Sequence, residues 1–406
     1  MSTGAPHVLT RLPALDAVRV IGAIAVLAQH VGFYTGVTLT APWGGWLGVL
    51  DVGVALFFVL SGFLLFRPWA YASATGTAAP SSRRYLWRRA LRILPAYWLT
   101  VVVCLLLLPG SPALTPSDWL RYLTLTQIYD GSALRQSVGQ TWSLATEVAF
   151  YLILPVIAVA ATGRRWRPWR AVAVAAATIP VTVGWLVAMA TGLLSGWPYG
   201  MWLPSYATWF GAGIALAAVH VALATGTAPR AWRFLNALGR SPLACWAIAL
   251  GILAIATTPV AGRHDLTTPS TAQVATRLVL YLAVAVLFVL PIAFGPQTRT
   301  KALLGTATAR WLGTVSYGLF LWHPFVLQAT YRSTGRPMFS GDLLGTFALT
   351  LGGGLLLATI SYYAVERPAL RLSAWRPRLV LARRPRRKSD PTTESQSAAT
   401  AASAAN

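Results

Sequence analysis

Ten apolar windows recur along this chain, at approximately 14–34, 45–66, 93–109, 142–162, 171–191, 203–223, 242–260, 273–295, 313–331 and 343–365. Each has about the length that a helix needs to cross a bilayer, roughly 20 residues. Such segments leave a chain few options. In lipid every backbone N–H and C=O must be bonded internally, so only helices and closed barrels can span, and barrel strands are half this length. The expected fold is all-α and polytopic, with about ten transmembrane helices. Composition agrees, with 56% hydrophobic and 11% charged residues, whereas a soluble domain carries about 25% charge. The 18 Trp, 14 Tyr and 14 Phe exclude an intrinsically disordered chain. Cys104 and Cys245 both lie inside apolar runs and read as packing residues, not as a disulfide framework.

The charges fix an orientation. With the N-terminus placed in the cytoplasm, 26 of the 33 Lys and Arg fall in inside segments and five in outside loops (Arg121, Arg135, Arg263, Arg332 and Arg336). That bias alternates correctly at every loop, so both termini are expected in the cytoplasm of a multi-pass protein of the inner (plasma) membrane. It also accounts for the net charge of +23 without nucleic acid as a partner. The first window is no signal peptide, because it contains Asp16, Arg19 and His30. Residues 1–372 form the transmembrane domain. Residues 373–406, basic and then rich in Ser, Thr and Ala, are expected to be a disordered cytoplasmic tail near anionic lipid. The internal repeat that marks many transporters is not evident.

An ionisable side chain near the bilayer centre costs on the order of 2.5–3.5 kcal/mol and asks for a reason. The set is Asp16, Arg19, His30, Asp51, Glu147, His220, Arg277 and His323. Eleven residues separate Arg19 from His30, which puts both on one helix face about 16 Å apart along the axis, with Asp16 on the same stripe. The same spacing fits a self-neutralising Asp16–Arg19 pair with His30 as a satisfied polar residue. Glu147 is expected at the depth of His30, where, if helices 1 and 4 touch, it would orient the ring for proton abstraction. Otherwise it pairs at the interface. A helical segment carrying Arg88, Arg89 and Arg92 presents guanidinium groups suited to phosphate, or else simply anchors to lipid headgroups. His323, followed by Pro324, either lines a polar cavity or bonds to a neighbouring helix. Arg277 and His220 read as interfacial.

Several strings resemble one family. Arg19 through His30 is similar to the Arg-x10-His signature of the acyltransferase-3 family of integral membrane acyltransferases. Gly53–Phe63, Arg88–Trp98, Trp142–Glu147 with Phe150 and Tyr151, Ser316–His323, and Glu366–Pro368 resemble its later blocks in the same order. Where the second block commonly has Asp, this chain has Ala55, with Asp51 one turn earlier.

The resemblance implies transfer of an acyl group, usually acetyl, from cytoplasmic acyl-CoA to a hydroxyl of an envelope glycan or glycolipid. Acyl-CoA is then a co-substrate, and no bound cofactor or metal is implied. It makes His30 the catalytic histidine, Arg19 its motif partner and Glu147 the functional acid. Arg89 and Arg92, with Arg88, become the acyl-CoA phosphate contacts, and Asp16, Trp142, Tyr151, Ser316 and His323 further substrate-binding candidates. The expected course holds the donor's phosphates at the Arg84–Arg92 cluster, with Arg19 a further contact, and runs its arm along helix 1 to His30, oriented by Glu147. Direct transfer and a His-acylated intermediate both fit it. A secondary metabolite such as a macrolide is the alternative acceptor. A flippase or transporter of a lipid-linked sugar is the alternative of another class.

Overall fold

Each of the ten windows contains a helix in the computed structural model, which describes residues 12–108, 113–131, 134–263, 266–296 and 298–372. The expected tail lies outside these residues. The helices are α1 (Ala14–Tyr34), α2 (Val52–Thr75), α3 (Ser82–Leu107), α4 (Thr141–Thr162), α5 (Pro168–Ala190), α6 (Leu203–Ala224), α7 (Pro242–Ala256), α8 (Thr271–Phe294), α9 (Ala307–Thr334) and α10 (Leu343–Ser361). Among the described residues there is no strand.

The number able to cross a bilayer unaided is smaller than ten. Among the described residues, eight helices are long and apolar enough. α7 has only 15 residues, roughly 22 Å, and makes a ninth span only together with Arg230–Gly239, which meets it at 84°. α9 has ample length, 28 residues, but includes Arg310, His323, Gln328 and Arg332. Its middle, Gly318 to Pro324, is buried throughout, so protein and not lipid surrounds its polar residue there. The outward faces of α3, α4 and α5 expose Leu106, Leu107, Leu152, Val156, Val183 and Val187, an apolar area that a membrane accepts and water does not.

Close backbone approach fixes the central pair α2 and α6. A Cβ on Gly62 would collide with the Phe210 carbonyl, and one on Gly213 with the Val59 carbonyl. In lipid such small-residue contacts hold helices together by packing alone. Gly213→Leu is therefore expected to destabilise the protein by about 3 kcal/mol or more. Gly251→Leu, on α7 with open space around it, should be neutral, and thermal unfolding in detergent compares the two.

The segment between α3 and α4 enters the bundle. It starts with a capping box at Pro116–Leu123, where the Thr115 amide and hydroxyl bond the Asp118 carboxylate and hold it below the usual carboxylate range. Gln127 is then fully buried and donates to Thr141 Oγ1 at 3.1 Å. Gln136 donates to the Tyr34 hydroxyl at 3.1 Å, and Gln140 to the Leu321 carbonyl at 3.0 Å. Irregular backbone inside a bundle is tolerable where protein groups satisfy it, as Tyr97 and Trp98 of α3 do by donating to the Tyr122 and Leu123 carbonyls. One result matters for the site: α4 begins beside the middle of α9, well inside the bundle.

Candidate active site

α1 and α9 pack along matching stripes. Ala23, Leu27, Val31 and Tyr34 of α1 meet Val315, Leu319, Leu327 and Tyr331 of α9 in one apolar cluster. His323 lies four residues from both Leu319 and Leu327, so the same face that buries them carries its ring toward α1. There His30 Nδ1 and His323 Nε2 stand 2.9 Å apart, with ring centroids at 5.1 Å. The other nitrogen of His323, Nδ1, is 3.1 Å from the Leu319 carbonyl. A carbonyl only accepts, so Nδ1 of His323 is the donor. In the neutral ring Nε2 then accepts, and His30 Nδ1 must donate to it. The relay leaves His30 Nε2 with a free lone pair, the arrangement a general base requires. His323 is wholly buried and His30 half-buried.

Glu147 does not meet His30. It accepts hydrogen bonds from the Ser61 hydroxyl and from the Tyr151 hydroxyl, the latter at 2.6 Å. Equal depth was the expectation, on the premise that α4 starts at the membrane surface. Because α4 starts beside Leu321, two turns along it bring Glu147 further down, toward Arg19. The principal neighbours of α4 are also α2, α5 and α6. The His30 partner is thus an imidazole from α9.

Below the histidines lies a cavity of about 610 Å³. Arg19 from α1, Arg67 from α2, and Arg88, Arg89 and Arg92 from α3 line it, with Asp16, Glu147, Tyr151, Ser316 and Tyr317. Arg19 pairs with Asp16 at 3.2 Å. Arg92 donates to the wholly buried Glu366 at 3.2 Å and stacks over Tyr317, 5.9 Å from its ring centre. Glu366 reaches inward because α10 ends in a single π-helical turn, Tyr362–Glu366, a distortion common at functional sites. Arg89 Nε is buried and makes no hydrogen bond among the described residues. Five guanidinium groups against the carboxylates of Asp16, Glu147 and Glu366 leave the cavity with more positive than negative groups, suited to a polyanion such as a phosphate chain.

The cavity thus gathers Asp16, Arg19, Arg88, Arg89, Arg92, Glu147, Tyr151 and Ser316 from the expected set. His30 and His323 lie beyond it, past Phe57 and Phe320, which line its wall and meet edge to face at 5.9 Å. Trp142 stands apart, packed on Tyr206 at 5.2 Å. Arg83 and Arg84 are exposed and off the cavity. Asp51 accepts from the Tyr281 hydroxyl of α8 at 2.5 Å and does not line the cavity. Sequence reasoning missed Arg67, Ser61 and Tyr317. Arg67 counted only as one more inside charge, yet it is buried and lies 5.7 Å from the Phe63 ring centre.

Comparison with known proteins points the same way as this chemistry. A family model described as an acyltransferase domain matches residues 12–366. The chain is 25% identical over 382 residues to the putative peptidoglycan O-acetyltransferase YrhL of Bacillus subtilis (strain 168), covering 88% of this chain and 54% of that protein. It is 22% identical over 382 residues to the peptidoglycan O-acetyltransferase OatA of Listeria monocytogenes, covering 88% and 55%. Nodulation protein 10 of Rhizobium leguminosarum is 26% identical over 195 residues, 43% of this chain and 50% of that protein. The chain thus spans about half the length of the curated relatives it matches. No solved structure matches it.

Proposed function

The chain belongs to the acyltransferase-3 family, and from that premise we propose that it carries acetyl from acetyl-CoA to a hydroxyl of a cell-wall glycan. The setting is the plasma membrane, with the arginine-rich end of the bundle toward the cytoplasm, where the sequence puts most of its Lys and Arg. The observation that carries the reading is the five-arginine cavity at the foot of the helix that bears His30.

CoA's phosphates bind Arg67, Arg88, Arg89 and Arg92, and its arm follows α1 for the roughly 16 Å between Arg19 and His30. Glu147, held by Ser61 and Tyr151, lies along that course. The acceptor hydroxyl gives its proton to His30 Nε2 as its oxygen bonds to the thioester carbonyl carbon. The carbon–sulfur bond then breaks, and the departing thiolate takes the proton back from His30 to leave as CoA thiol. The supporting geometry is the Leu319–His323–His30 relay, which holds the base in one tautomer. The relatives named for peptidoglycan support the choice of acceptor.

The donor is tested by thermal unfolding in nanodiscs with and without acetyl-CoA. Ligand at 100 times its Kd should stabilise the protein by about 2.7 kcal/mol, and a tenfold loss of affinity in Arg89→Ala should cut this to about 1.4 kcal/mol. Absence of any shift at millimolar acetyl-CoA would reject acetyl-CoA as donor and favour a carrier of lipid-linked sugar.

A further inference from the structure

The end of the bundle where α1 finishes is poor in positive charge, with five basic residues by the reading above. Arginine there is disfavoured as a topology anchor, yet three of the five converge. Arg135, Arg332 and Arg336 line one pocket of about 320 Å³ together with Tyr34, Gln136 and Gln328. None of its lining residues is acidic. Arg135 Nε and Ser137 Oγ, both at this pocket, are buried and make no hydrogen bond among the described residues.

The pocket lies about one helical turn beyond the histidines. Tyr34 is four residues beyond His30, about 6 Å along α1, and its ring meets Tyr331 of α9 at 5.3 Å. Gln328 is five residues beyond His323 and donates to the Gln136 carbonyl at 3.1 Å, while the Gln136 amide donates to the Tyr34 hydroxyl. α1, α9 and the entering segment are therefore tied together at the pocket before anything binds, which lowers the ordering cost of binding.

We infer that this pocket is the acceptor subsite, and that it takes a glycan bearing a carboxylate or phosphate about one helical turn from the hydroxyl that is acylated. The inference rests on the acyl-transfer reading and adds the acceptor's charge and its route of approach. Guanidinium forks match either anion in bidentate fashion. Arg332 and Arg336 are exposed and attract the anion at long range. Arg135, half-buried with a desolvated Nε, makes the discriminating contact.

The test measures binding of two disaccharides to the full chain in phosphatidylcholine nanodiscs. One is N-acetylglucosaminyl-N-acetylmuramic acid, with one carboxylate, and the other is neutral N,N′-diacetylchitobiose. The wild type should bind the charged probe at least tenfold tighter. Arg135→Gln/Arg332→Gln/Arg336→Gln should remove that preference, and His30→Ala should keep it. Should the triple variant not fold, Arg332→Gln/Arg336→Gln, with both changes on exposed side chains, should still weaken the charged probe threefold or more. Equal binding of both probes by the wild type, or a preference that survives in the arginine variants, overturns the inference. So does loss of the charged probe when phosphatidylglycerol is added to the discs, which would assign the pocket to a lipid headgroup. Charge-selective binding without acetyl transfer would leave the pocket standing and the acyl-transfer reading fallen. Transfer without charge selectivity would do the reverse.

Discussion

His30→Ala is expected to lower acetyl transfer by at least about 100-fold and up to about 10⁴-fold, the range a positioned general base supplies. Acetyl-CoA should still stabilise the variant, because the arginines proposed to hold its phosphates lie in a cavity that His30 does not line. His323→Ala makes the sharper comparison. It leaves the base in place but removes the ring that fixes its tautomer and angle, so a loss of about 100-fold is expected from misplacement alone. Transfer assays from radiolabelled acetyl-CoA, paired with thermal shifts, separate these outcomes. Normal transfer by His30→Ala would end the assignment.

Arg92→Ala is expected to cost about 3 kcal/mol of stability, an effect separate from any on the donor. Glu366 is wholly buried, and Arg92 is its ion-pair partner at 3.2 Å. Removing one member of a buried pair strands the other, at roughly 3–5 kcal/mol. The lower figure applies because the Arg92 side chain keeps 28% exposure. Arg92→Ala/Glu366→Gln should recover most of the stability, since the carboxylate is gone. The double variant should still bind acetyl-CoA more weakly than the wild type, because the proposed phosphate contact is not restored. Equal acetyl-CoA shifts in the double variant and the wild type would confine Arg92 to a structural role.

The spans and the arginines could be read from the sequence because both follow from local rules. Apolar length determines where a helix crosses, and the eleven-residue interval between Arg19 and His30 determines that they share a face. The partner of His30 could not be read the same way. A helix bathed in lipid is apolar on its outer and inner faces alike, so the pattern says little about which neighbour it touches. Glu147 was the residue expected beside His30, with His323 read only as lining a cavity or bonding some neighbouring helix, and the outcome turned on where α4 begins. That point is decided by Gln140 bonding Leu321, a contact between residues 181 apart. Glu366 escaped notice for a related reason. Its motif was visible, but burial of the carboxylate depends on the π-helical turn, and no residue spacing announces one.

The deep start of α4 bears on how the protein is made. The segment ahead of it can satisfy Gln140 only against α9, and the two histidines of the relay are 293 residues apart. At about 5–20 residues per second, a ribosome needs roughly 10–40 s to go from Gln140 to Leu321. During that interval the first helices must sit in the membrane with the entering segment still lacking its α9 partner, shielded by the insertion machinery or held at the surface. His30 meets His323 only when almost the whole membrane domain has been synthesised, so a chain stopped before α9 would carry the arginines of α2 and α3 that are proposed to hold the donor, without the ring that orients His30.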